Sequence, residues 1–309
     1  MTVRSVVIGL AALGMLAQPA AALTFSFSTI QGDTLNANQA AAFQAAADAW
    51  SSALSNNIVV PLQIGFANLD PSILGGSSPI IYGIDASSVK SALASHATSA
   101  DDRAAVASLP NYAAGTTLTV NGAQAQALSF NVLGSDGSIE FNSNQAFSTS
   151  RSAQGTVAAG TFDLIGVAEH EIGHILGFIS AIDTAGLPST ILDQFRFTAP
   201  GVRNTTRVNG SYFSLDSGTT AIAGFSPGGA SNDNYQASHW AQGTGALLDP
   251  AIAPGMVENI TPLDLRALDV IGFDLAASTP TSVPEPASLS ILAVGLLGLV
   301  VRRRLGTAG

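Results

Sequence analysis

Cysteine is absent from all 309 residues. That absence removes disulfides, thiolate metal sites and a cysteine nucleophile together, so a bound metal has to be held by imidazole or carboxylate. Charge is scarce too: 10% of residues are charged, and Lys90 is the sole lysine. The balance is acidic, with 21 carboxylates against 11 basic side chains and a net charge of −10. A surface of that sign repels phosphate backbones, which excludes nucleic acid as a partner class. Histidine occurs at four positions only, so two of them placed four residues apart carry information. No internal repeat is present, and no apolar run reaches the roughly 20 residues that a bilayer-crossing helix needs.

What is there begins at the ends. Arg4, the apolar run Val6 to Leu16 and then Pro19-Ala20-Ala21-Ala22 have the order of a secretory signal, with cleavage expected after Ala22. At the other end, Val283-Pro284-Glu285-Pro286 precedes the apolar stretch Ala287 to Val301 and the basic Arg302-Arg303-Arg304. The stretch is short for a permanent span, and its arginines would stay on the cytoplasmic side. In motif, apolar segment and basic end, residues 283–309 resemble the PEP-CTERM sorting tail of Gram-negative bacteria. The resemblance implies export to the cell surface or extracellular matrix, a transient membrane contact through the tail, and processing by an exosortase-type enzyme. With both ends set aside, 7 basic and 20 acidic residues remain, a net charge of −13.

The interval 23–282 is then expected to be one large domain or two intimate parts, divided near residue 178. Thr24 to Ser28 alternates Thr and Ser with Phe, the period of a half-buried strand. A helix capped by Asn36 or Asn38 should follow, with Phe43, Ala47, Trp50 and Leu54 on one face. Val60 to Phe66 alternates again, and Pro61 points to an edge or strand-start position. Ala86 to Ser108 reads as one helical segment whose His96, Asp101, Asp102 and Arg103 face solvent. Thr117–Val120, Ala127–Val132 and Ile139–Asn142 read as strands, the last a candidate sheet edge along which an extended peptide would align.

The chemistry concentrates between Gly160 and Phe178. Thr161 can cap a helix there, Leu164, Val167, Ala168 and Ile175 give it a buried face, and Gly177 suits the position past its end. On that helix His170 and His174 project from the same face one turn apart, a separation a single zinc ion can bridge. Glu171 stands beside them, placed to accept a proton from a water activated by the metal and to pass it to a leaving amine. A catalytic zinc takes three protein ligands. Three residues past Gly177 stands Ser180, a poor ligand, which leaves Asp183 and, 65 residues after His174, His239. Asp183 and Asp193 otherwise read as carboxylates that orient a ligating imidazole.

His239 lies in Ser238-His239-Trp240, ahead of Leu247-Leu248-Asp249-Pro250. Together with His170-Glu171-Ile172-Gly173-His174-Ile175-Leu176-Gly177-Phe178, this order resembles leishmanolysin-type metzincins across residues 161 to 273, and the whole layout is similar to PEP-CTERM-tailed bacterial metallopeptidases. The resemblance implies an α+β, zincin-like (metzincin) fold: an N-terminal twisted sheet with the active-site helix, and a looser C-terminal part. It further implies hydrolysis of peptide or protein substrates, Zn2+ held by His170, His174 and His239, and Glu171 as base. Leu248 stands where that family places a methionine, and the nearest methionine is Met256. After the turn, Thr261-Pro262-Leu263-Asp264 signals a capped helix that buries Leu265, Leu268 and Ile271 and ends at Gly272. Two other readings fit parts of the chain: a non-catalytic matrix or adhesion protein on the same scaffold, and a zinc hydrolase acting on a non-peptide amide.

Overall fold

Phe25 and Phe27, set between threonines and serines, make Thr24–Thr29 the first strand, β1. The chain then enters helix α1 at Ala37–Ala53, where Asn36 and Gln39 close a reciprocal capping box. The computed structural model describes residues 23–229 and 235–277, and its described residues up to Ala276 form one compact unit. The signal-like segment 1–22 and the tail 283–309, with the membrane contact expected of it, lie outside the described residues. No helix among the described residues is long and apolar enough to cross a membrane.

Strand β2, Val59–Ala67, runs parallel to β1 in register from Thr24–Val59 to Thr29–Ile64. It is followed by β3 (Gly75–Pro79) and β4 (Ile81–Asp85). The alanine-rich segment expected as one helix is two, α2 (Ala86–Ser95) and α3 (Ala100–Ser108), because Ser99 opens a second capping box with Asp102. Asp102 is therefore buried, not solvated, and accepts the amides of Thr98 and Ser99. Asp101 pairs with Arg266.

β5 (Thr117–Asn121) runs antiparallel to β4 and leads into the short helix α4 (Gly122–Ala127). The strand expected at Ala127–Val132 does not form. Asn121 and Gln124 cap a helical turn instead, and the amide of Phe130 folds back onto the carbonyl of Ala125. The alternation of Leu128, Phe130 and Val132 serves packing against the core rather than a ladder.

Gly137–Asn142 forms β6, parallel to β2 and antiparallel to β3, giving the sheet order β1-β2-β6-β3. Ile139–Phe141 is thus interior to the sheet, and the strand at the edge is β3. Pro61 sits inside the sheet without breaking it: pairing with β6 starts only at Leu62, and the Pro61 carbonyl still accepts the amide of Asp136. Two short strands, β7 (Phe147–Ser148) and β8 (Phe162–Asp163), pair just ahead of helix α5, Leu164–Ile175.

Helices α1 and α5 are joined through their apolar faces. Phe43 of α1 stacks on Phe141 of β6 at 4.9 Å, and the Trp50 indole donates to the Glu169 carbonyl of α5 at 2.9 Å. After α5 regular structure thins out. A 3-10 turn at Leu192–Phe195 leads to β9 (Arg196–Ala199), β10 (Val202–Arg203), β11 (Tyr212–Phe213) and β12 (Ala223–Gly224), an antiparallel sheet in the order β10-β9-β11-β12. The last helix, α6, spans Pro262–Val270 with Thr261 as its cap, and Gly272 follows it at φ +123°.

Candidate metal centre

Helix α5 is apolar enough to be buried on most of its surface, and it carries three polar side chains into a cleft. Its start differs from expectation. Asp163, not Thr161, occupies the cap position; the Thr161 hydroxyl donates to the Ala158 carbonyl, while Arg151 grips the Asp163 carboxylate at 2.6 and 2.8 Å. Its end is as expected, with Gly177 at φ +120°. Asn121 of β5, which had no motif to mark it, donates to the carbonyls of His174 and Ile175 and satisfies the helix terminus.

The structure brings His170, His174 and His239 together. Their Nε2 atoms are 3.0 Å apart for His174 and His170, 3.2 Å for His170 and His239, and 3.3 Å for His174 and His239. Each ring's other nitrogen faces a backbone carbonyl: Leu247 for His170 at 2.7 Å, Phe178 for His174 at 2.7 Å, Gln236 for His239 at 3.1 Å. A carbonyl can only accept, so each Nδ1 carries the proton, and a neutral ring then presents a bare lone pair at Nε2. Burial lowers the pKa of His174 well below the ordinary histidine value, with the His170 and His239 charges adding to it. Burial, then the His170 charge, brings His239 down to about 3. Three lone pairs converging this closely repel one another unless a cation sits among them. Four-coordinate zinc with Zn–N of about 2.0–2.1 Å separates its nitrogen ligands by roughly 3.3 Å, so the donor set and spacing fit that ion.

Asp183 and Asp193 are elsewhere. Asp183 accepts the amides of Ala237 and Gly229 and pairs with Arg207, fastening the segment that precedes His239. Asp193 accepts the Ser180 hydroxyl and the amides of Ala181 and Thr190. Neither carboxylate orients an imidazole; that role falls to carbonyls. Ser180 contributes from its backbone, whose amide donates to the Ser238 hydroxyl at 3.0 Å.

The segment carrying His239 is held from below by Trp240, which is fully buried. Its ring stacks on Phe225 at 4.9 Å and meets Phe178 edge-on at 4.8 Å, and its indole donates to Asp264 at 2.9 Å. Asp264, expected only as an acid in the first turn of α6, also accepts the amides of Leu247, Leu248 and Thr261 and the Thr261 hydroxyl. Leu248 lies beneath the histidines and fills the space at Gly173, where a Cβ would come within 2.9 Å of it. A side chain there would force Leu248 to shift, because the turn presses directly on the helix between the two histidines.

Glu171 is buried beside Gly75 of β3, whose position brings its backbone close to the Glu171 Oε1 atom. Burial raises its pKa, opposed by the His170 charge and a hydrogen bond with Ser77. The cleft that these groups line has a volume of about 690 Å³ and is bordered by β3 on one side and by Asp249 to Ile252 and Glu258 on the other.

No curated protein matches the chain. A family model does match its end: residues 282–304 fit the PEP-CTERM protein-sorting motif. The protein is accordingly an exported one, sorted to the cell surface of a Gram-negative bacterium through a tail that an exosortase-type enzyme recognises.

Proposed function

We propose that the chain is a surface zinc peptidase with a zincin-like scaffold of the leishmanolysin-type metzincins, in which His170, His174 and His239 hold Zn2+ and Glu171 is the general base. The observation that carries this reading is the triangle of Nε2 atoms 3.0 to 3.3 Å apart, each on a ring whose Nδ1 faces a backbone carbonyl. When bound, zinc supplies Lewis acidity, which lowers the pKa of water from about 15.7 toward about 7.

The chain's own groups do the rest. The carbonyls of Leu247, Phe178 and Gln236 fix the tautomer of each ring, so that no proton has to be expelled from Nε2. Glu171 is adjacent to His170 without belonging to the triangle, which leaves its carboxylate free to take a proton from water. Its raised pKa moves it toward neutrality, where a general base works best. The water oxygen bonds to the carbonyl carbon, the C–N bond breaks, and Glu171 returns the proton to the departing amine. Strand β3 supports a peptide substrate in particular, because it is the sheet edge that lines the cleft and offers main-chain donors and acceptors to an extended chain.

The Glu171→Gln variant tests the assignment. It should keep zinc at the stoichiometry of the unaltered chain and lose hydrolysis of a broad peptide library. Cutting at an undiminished rate would remove Glu171 from the mechanism. An unaltered chain that binds zinc and cuts no peptide would favour a non-catalytic surface protein.

A further inference from the structure

The walls of the cleft are acidic. Besides Glu171 they carry Asp249 and Glu258, and no lysine or arginine lines the cleft among the described residues. The two carboxylates differ in their engagement. Asp249 is buried and used up, accepting the Thr244 hydroxyl and the amides of Gly243 and Gly245. Glu258 is half-buried, and among the described residues its carboxylate has neither a hydrogen-bond nor an ion-pair partner. Arg151 binds the Glu258 backbone carbonyl, but its ion pairs are with Asp163 and Glu169, and its Nη1 donates to Asn259.

An unpaired carboxylate in a partly dry wall is unfavourable until a cation meets it. Burial, and then the charges of Asp249, Asp264 and Asp163, push Glu258 up to about 7, the direction of a site short of positive charge. The same cleft also carries Phe162, Val167 and Ile252, apolar surface for the aliphatic stem of a long basic side chain. We infer that Glu258 makes the cleft selective for a peptide carrying arginine or lysine next to the bond presented to Glu171. The choice of bond rests on the peptidase reading above; the recognition of the cation does not.

Calorimetric binding to the full zinc-loaded Glu171→Gln chain tests it without turnover. The probes are short blocked alanine peptides carrying one arginine, one citrulline of the same shape without charge, or one glutamate. The arginine peptide should bind about 10-fold to 100-fold tighter than the citrulline peptide, the scale of a hydrogen bond to a charged group. Adding Glu258→Gln should abolish that preference, and adding Glu258→Arg should transfer it to the glutamate peptide. Since the Glu258 side chain holds nothing else in place and its charge is disfavoured by burial and by the neighbouring carboxylates, neither variant should melt below the parent. Equal binding of the arginine and citrulline peptides, a preference that survives Glu258→Gln, or no binding of any probe would overturn the inference. The two readings fail separately: arginine peptide bound but left uncut by the unaltered chain overturns the peptidase, whereas cutting without regard to charge overturns the selectivity.

Discussion

The buried carboxylate of Asp264 is where stability and the metal centre meet, and Asp264→Asn measures the connection. Its Oδ1 accepts the Trp240 indole and the Leu248 amide; its Oδ2 accepts the Leu247 amide and both the amide and hydroxyl of Thr261. An amide has one accepting oxygen. Turned toward Trp240 and Leu248, it strands the Leu247 and Thr261 N–H groups; turned the other way, it strands the indole and the Leu248 N–H. The Thr261 hydroxyl escapes in the first case by accepting instead of donating. Either way two donors, buried or partly buried, lose their partners, at about 1–3 kcal/mol each, so the variant should be destabilised by roughly 2–6 kcal/mol. For a domain of this size that lowers the melting temperature by at least about 4 °C. The same turn supplies the Leu247 carbonyl that orients His170, so zinc affinity should fall about 10-fold to 100-fold, as when a ligand loses its supporting partner. Thermal unfolding followed by circular dichroism reads the first effect, and zinc titration of the folded variant reads the second. A variant that melts and binds zinc like the parent would refute the idea that Asp264 holds the turn.

Three further outcomes are expected. His239→Ala should lose zinc by orders of magnitude, whereas Asp183→Ala, which releases the Ala237 and Gly229 amides and Arg207 but frees no imidazole, should weaken it less than the loss of an orienting partner does, below about 10-fold to 100-fold; a zinc titration showing the reverse order would assign the third ligand to the short connection. Asp269 is raised to about 6, by burial first, so the folded chain holds a proton there that the unfolded chain releases near the ordinary value of 3.8. Its contribution is complete below about pH 4 and lost as pH rises through about 6; Asp269→Asn should flatten that part of the urea-unfolding profile and add stability at pH 7.5, and an unchanged profile would count against it. Mass spectrometry of material released from the surface should find no peptide running from Pro286 through Arg304, and recovering one would contradict removal of the tail.

The legibility of this chain in its sequence follows the range of each interaction. His170, Glu171 and His174 sit within one helical turn, where a fixed spacing is itself geometry, and the structure gathers them on α5 as that spacing requires. His239 is 65 residues from His174, and nothing local links it to them; the residues alone leave it beside Asp183, and only the resemblance of motif order favours it. The sheet edge differs from expectation for the opposite reason. Ile139–Phe141 alternates and so reads as a strand, but alternation says nothing about which strands lie on either side. The edge is β3, whose Gly-Gly-Ser-Ser-Pro sequence has no apolar period and stays silent. The orienting partners leave no mark in the sequence because they are backbone carbonyls, which every residue possesses; the carboxylates that the sequence offers for the role, Asp183 and Asp193, bind amides, a hydroxyl and Arg207 instead. Asp264 was readable in part, since Thr261 and the acid three residues later form a capping box. That signature accounts for the bonds within the helix start. The three donors arriving from Trp240, Leu247 and Leu248 come from 16 to 24 residues away, and they turn an ordinary helix cap into the support on which the third histidine and the partner of the first both depend.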